Sequence, residues 1–133
     1  FNETASSDDY VYYLWHSVEG FSKFGVYVAN GDADGPFIHC GFKPAMVILK
    51  DTTGGSWVIL DNQRNTTNVV NNVLRPDDNA AQNTGTDILD FLSNGFKIRM
   101  NGAFANDSGE NYFYAAWAET PSFNLYGGQA NAR

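Results

Sequence analysis

Apolar and polar positions along the chain fall into short runs, several with a period of two, broken by Gly, Asn and Asp. Helical periodicity is hard to find, so the pattern predicts strands rather than helices. The candidates are 10–16, 21–28, 45–50, 57–61, 88–92, 96–100 and 112–118. The run FKIRM at 96–100 alternates strictly, which predicts one buried and one wetted face. VIL at 47–49 and VIL at 58–60 are unbroken apolar triplets, better suited to central strands covered on both sides. Gly54-Gly55 between them is a hairpin signal, and Asn94-Gly95 is a second one joining 88–92 to 96–100. The expected fold is all-β with little or no helix: an antiparallel β-sandwich of the jelly-roll or concanavalin-like kind, with a barrel as the less favoured alternative. Its expected core includes Val47, Leu49, Val58, Leu60, Phe96, Ile98 and Trp117. Residues 62–86 are the exception, a polar, Asn-rich excursion with at most one short strand around Val73-Leu74.

An internal echo adds to this picture. Tyr10 matches Tyr112, Tyr12 matches Tyr114 and Trp15 matches Trp117; Phe21 matches Phe123, Phe24 matches Tyr126 and Gly25 matches Gly127, all at one offset without a gap. Either two similar strands occur inside one sandwich, or a unit of about a hundred residues repeats in tandem. In the second case residues 1–19 are the end of a preceding repeat or a connecting strand, and 20–133 form the sandwich domain.

Composition narrows the classes of function. A chain of 133 residues is long enough for one domain with a real core. The formal net charge is −7 and the 8 Lys and Arg are scattered, so no basic stripe is present to neutralise phosphates. The same acidity argues against docking on an anionic membrane, and no apolar run approaches the ~18 residues of a helical span. The first ten residues, FNETASSDDY, have no basic region and no apolar stretch of a signal peptide; the chain reads as a piece of something longer. Cys40 is the single cysteine, which rules out an internal disulfide and any multi-cysteine metal site and favours a small core residue. Sequons at Asn2, Asn65 and Asn106 are expected by chance in so Asn-rich a chain.

Three constellations invite chemistry. NGDADG at 30–35 resembles the front of a calcium loop, with Asn30, Asp32 and Asp34 at alternate positions and Gly35 at the turn. The twelfth position is Gly41 rather than Glu and the flanks read as strands, so a turn whose Asx side chains bond their own backbone is the better reading, with no metal. For catalysis, His16 and His39 are the only histidines, and His39 and Cys40 as strand neighbours point to opposite faces. Asp61, Asp87, Asp90, Glu110 and Glu119 show no spacing that singles out a carboxylate pair. The expectation is therefore no enzyme and no cofactor. The third, SWVILDNQR, places Trp57, Ile59 and Asp61 on one face of a strand, with Arg64 in reach of Asp61. It is either a structural ion pair beside an aromatic or a ligand site in which Trp57 stacks on a sugar while Asp61 and Arg64 bond hydroxyls.

GFSKFGVYVANGDADGPFIHCGFKPAMVILK, SWVILDNQR, DFLSNGFKIR and YFYAAWAETP, in that order, resemble a domain of unknown biochemical activity found in phage tail-fibre and other virion structural proteins. The likeness runs from about Tyr10 to the end and is poor across 62–86. It implies a structural or host-adsorption module of a virion, made in the host cytoplasm and extracellular once mature. Its partners would be other copies of itself and other virion proteins, with a host cell-surface glycan as a further candidate. A carbohydrate-binding, lectin-like domain is the alternative. Such fibres are closed oligomers, most often trimers, and the abundance of aromatic residues (15%) provides interface material.

Overall fold

The computed structural model describes residues 12–121. They form seven strands: β1 Ser22–Val28, β2 Phe37–His39, β3 Pro44–Asp51, β4 Trp57–Asp61, β5 Leu89–Leu92, β6 Gly95–Ile98 and β7 Asn111–Ala118. A four-stranded sheet in the order β1-β7-β3-β4 lies on a three-stranded sheet in the order β2-β6-β5, and every pairing is antiparallel. The expected all-β sandwich is what the chain adopts, with no helix among the described residues.

Both expected hairpins are present. β3 turns into β4 through a loop containing Gly54-Gly55, and β5 turns into β6 through Ser93-Asn94, with Gly95 opening β6 opposite Leu92. Gly95 is required there, because a Cβ would overlap the backbone carbonyl oxygen of Ile38 on the neighbouring β2. β2, which the run pattern does not single out, is only three residues long, too short for alternation to stand out.

The core fills the space between the sheets. Val47, Leu49, Val58, Leu60, Phe96 and Ile98 are fully buried, as expected. Three tyrosines join them: Tyr27 stacks on Tyr112 with ring centroids 5.4 Å apart, and Phe96 meets the edge of Tyr114 at 5.7 Å. Burial pushes all three phenols upward in pKa, with Tyr27 further raised by its neighbour Tyr112. Their hydroxyls still find partners: Tyr27 donates to Ala105 O at 2.6 Å and Tyr112 to Ala103 O at 3.3 Å, tying the loop after β6 across the end of the sandwich.

Three expectations need correction. The candidate strand at 10–16 is not a strand where it is described, since 12–17 carry no ladder; its first residues lie outside the described range. Trp117 is only half-buried, because alternation along β7 turns it away from the core, where it meets the edge of Phe24 at 5.4 Å. β4 is an edge strand of its sheet rather than a central one, and Ile48 and Ile59 stand on the sheet's outer side, partly exposed.

The 62–86 excursion contributes more than its composition promises. Val70 and Val73 reach the core, held by single bridges of Val70 to Leu89 and Val73 to Asn83, while Leu74 bridges Ile59 on the free edge of β4. Asparagine amides take the place of a backbone ladder: Asn68 accepts from Phe91 N and donates to Phe91 O, both at 3.0 Å. Asn65 Oδ1 accepts from Asn71 N and Asn72 N at 3.2 and 2.7 Å.

Candidate functional site

Strand register decides which side chains share a face. In an antiparallel pair the residues directly opposite each other project to the same side. Val26, Phe113, Lys50 and Trp57 therefore form one row across the outer side of the four-stranded sheet, and Phe24, Ala115, Ile48 and Ile59 form the next. A third row runs through Ser22, Trp117, Met46 and Asp61. Of these twelve side chains only Lys50 and Asp61 carry charge, and both are tied down locally. Lys50 Nζ donates to Asp51 O at 2.8 Å and to Gly55 O, which pulls the ammonium into the hairpin.

The outer face is thus apolar, and the described residues leave much of it open. Phe113 is 54% exposed, Val26 51% and Trp57 45%. Trp15, Phe24, Val26, Ile48, Trp57 and Phe113 line a groove of about 440 Å³ on it. Trp15 stacks on Phe24 at 6.3 Å and so walls one side. Scattered exposed apolar residues are ordinary on a protein surface; a contiguous two-row apolar patch is not.

Trp57 and Asp61 share the outer face as expected, and Asp61 pairs with Arg64. Asp61 Oδ1 accepts from Gln63 N at 3.0 Å and Arg64 N at 2.8 Å, and Oδ2 accepts from Arg64 Nε at 2.7 Å. Burial alone would raise the Asp61 carboxyl; the bonds from the Arg64 side chain and backbone, the guanidinium charge and the Gln63 N–H together hold it below the usual carboxylate range. The pair lines a neighbouring hollow with Met46, Ile59 and Leu74, in which Trp57 takes no part. The structure therefore separates the three candidate residues into an aromatic groove and a loop staple. Within the pair, Arg64 Nη1 is buried without a hydrogen-bond partner.

The turn at 30–35 has a clear physical account. Asp32 N donates to Asn30 Oδ1 at 3.1 Å, and Asp34 N to Asp32 Oδ1 at 2.8 Å, so the side chains cap their own backbone. The place where oxygens converge holds a nitrogen: Asn106 Nδ2 lies 2.9 Å from Asn30 Oδ1, 2.7 Å from Asp32 O and 2.7 Å from Met100 O. Lys97 Nζ bonds Asp34 Oδ1 at 2.8 Å and Gly35 O at 2.7 Å, and this bond, reinforced by the Lys97 charge, draws the Asp34 carboxyl down. Asn106 is fully buried, so its sequon is closed to modification in the folded chain.

His39 is exposed and Cys40 buried, on opposite sides of the chain. Burial raises the Cys40 thiol to about 11, only slightly offset by Lys23, which keeps it protonated at neutral pH.

The signal for the outer face lies in the sequence. Two VIL triplets and YFYAAWA in β7 are apolar at both parities, a pattern that reads as strands covered on two sides. The described residues cover one. The comparisons with known proteins give one match: a domain of unknown function, DUF7483, over residues 1–121. The chain belongs to that family. No curated protein and no solved structure matches it.

Two outcomes test the local chemistry. Asn106→Asp removes donors from three acceptors and buries a carboxylate among them; it should lower stability by ~3 kcal/mol, read from the urea midpoint. A change within ~0.5 kcal/mol would contradict the central role of that amide. Because the Asp61 carboxyl titrates lower when folded than unfolded, its contribution is present above the ordinary carboxylate value of ~3.9 and is lost as pH falls through the depressed one. Asp61→Asn should therefore flatten the fall in urea midpoint between about pH 4 and pH 2.

Proposed function

We propose that this member of the DUF7483 family is a non-enzymatic structural or host-adsorption module of a phage fibre or tail protein. It works by packing the outer face of its four-stranded sheet against other copies of the same fold. The observation that carries this reading is the apolar outer face itself, with Val26, Phe113 and Trp57 half open to water. Burying such rows is worth ~25 cal/mol per Å² of apolar surface. The occupant of such a face must be apolar and flat, and a second sheet of the same kind meets both conditions. The virion context comes from the resemblance of motifs along the chain, and it makes the mature location the particle outside the cell.

Closure into a symmetric oligomer, a trimer by preference, suits a rod that must resist dissociation outside a cell. A net charge of −7 per chain opposes this weakly at physiological salt, where charges are screened beyond ~8 Å. The buried, protonated Cys40 and its separation from the His39 side chain favour a binding role over a nucleophilic one.

A sugar-binding role is the second reading, favoured by Trp57 at the rim of an aromatic groove. It would rest on stacking, since the carboxylate of Asp61 is already occupied by its own loop. A glycan array separates the two: specific binding lost in Trp57→Ala supports the second.

For the leading reading, Phe113→Asp and Val26→Asp are the informative changes, since both side chains point away from the core. Light scattering on the full-length protein should give an oligomer that these substitutions dissociate, while the melting temperature of the 133-residue chain stays within a few degrees of the unsubstituted one. An oligomer that survives both substitutions would contradict the role of this face.

A further inference from the structure

A polar hollow of about 280 Å³ opens where the link from β2 to β3 meets the start of the long excursion after β4. Lys43 comes from the link, and Asn62, Asn65, Thr66, Thr67 and Asn68 from the excursion. Buried Phe91, at the end of β5, supplies the apolar part of the lining. The asparagines at 65 and 68 hold its shape. Asn65 Oδ1 accepts from Asn71 N and Asn72 N, its Nδ2 donates to Asn71 Oδ1 at 3.1 Å, and Asn68 clamps both backbone groups of Phe91. Asn72 Nδ2 ties the same loop to Arg64 O at 2.8 Å. The hollow is therefore set in place before any ligand arrives, which lowers the ordering cost of binding.

The remaining polar groups of the lining are uncommitted. Lys43, Thr66 and Thr67 are exposed, and their side chains make no hydrogen bond or ion pair among the described residues. Asn62 Oδ1 accepts from Gln63 Nε2 at 3.0 Å, while its Nδ2 makes no hydrogen bond there. The free groups are thus an ammonium, two hydroxyls and an amide donor. None of the chain's 15 Asp and Glu lines this hollow, although the net charge is −7. Most of the described cations are already engaged: Arg64, Arg75, Lys97 and Arg99 by carboxylates and Lys50 by carbonyls. Lys43 is not. An adjoining hollow of about 250 Å³ shares Lys43 and Asn62 but adds Glu119, so an anion is repelled on that side and drawn to the threonine side.

We propose that the hollow binds one carboxylated sugar unit, its carboxylate on Lys43 and its ring hydroxyls on Thr66, Thr67 and the Asn62 amide. An ammonium–carboxylate bond is charge-assisted, and threonine hydroxyls both donate and accept, as sugar hydroxyls do. The volume falls just below the ~300–1,000 Å³ of sites for drug-sized ligands, which suits a single ring. Phe91 is 5% exposed and offers no open face for stacking, so the carboxylate has to supply the selectivity. Inorganic phosphate would engage Lys43 but leave the hydroxyls and the amide unused. The inference rests neither on the covering of the outer face nor on Trp57, which lies in a separate groove.

Amide chemical shifts of the 133-residue chain test it, in titrations with glucuronate, N-acetylneuraminate, glucose and phosphate at fixed ionic strength. At least one of the two acidic sugars should shift the amides of Thr66, Thr67 and Asn68 and the side-chain amide of Asn62, with a Kd on the order of 1 mM. Glucose should bind at least ~5-fold more weakly, and Lys43→Gln should weaken the acidic sugar by a similar factor. Joint replacement by Thr66→Val and Thr67→Val should weaken it as well, with Lys43 intact. All three positions are exposed, and unchanged shifts elsewhere report that each variant keeps the fold. No shift from either acidic sugar at ~20 mM would overturn the proposal, as would binding that Lys43→Gln leaves unchanged. Phosphate that shifts the same amides with equal affinity would show an adventitious ion only and would also overturn it.

Discussion

A strand sends alternate side chains to opposite faces, and a sheet that is apolar at both parities needs a cover on each side. That constraint governs this molecule. The four-stranded sheet supplies Tyr27, Tyr112, Tyr114, Val47, Leu49, Val58 and Leu60 to its inner face, where the three-stranded sheet completes the core. On its outer face the same four strands present Phe24, Val26, Ile48, Ile59, Trp57 and Phe113, with no third layer among the described residues. The two charges on that face are satisfied locally, Lys50 by backbone carbonyls of its own hairpin and Asp61 by Gln63 and Arg64 of the loop that follows it. The contact role proposed for the domain follows from this imbalance.

The rigidity of the platform comes from polar groups used internally. Loops rich in Asn, Asp and Gly would ordinarily be loose, but here side-chain amides stand in for missing backbone partners. Asn68 bonds both backbone groups of Phe91, Asn65 gathers the amides of Asn71 and Asn72, and Asn106 binds the 30–35 turn to Met100. Each of these bonds is worth on the order of 1 kcal/mol net, and more when its loss strands a buried partner. The long excursion can therefore lay Val70 and Val73 in the core without a strand of its own.

Much of the fold is legible from alternation and turn chemistry. The bounds of β4 coincide with the expected run 57–61, both hairpins fall on their glycines, and FKIRM buries Phe96, Ile98 and Met100 while Arg99 faces solvent. What alternation cannot supply is the neighbour on the other side. The VIL triplets report two apolar faces, and the described residues cover only one of them. The parity of Trp117 along β7 is visible only once the strand's inward set is known to be Tyr112, Tyr114 and Ala116, which leaves Trp117 facing outwards. The run at 10–16 has the composition of a strand, yet its described residues 12–16 carry no ladder, and composition does not name a pairing partner. For the candidate site, the Asp61–Arg64 pair was legible from spacing alone, whereas its separation from Trp57 into another hollow depends on the tertiary packing of Leu74 against Ile59.

The central claim is that the outer face of the four-stranded sheet is covered in the assembled protein. Hydroxyl-radical footprinting of the full-length assembly beside the 133-residue chain reads this at single residues. The account predicts that Phe113 and Trp57, each about half exposed here, are labelled in the chain alone and strongly protected in the assembly, with exposed Phe37 on the opposite sheet labelled equally in both. Equal labelling of Phe113 and Trp57 in the two samples would contradict it.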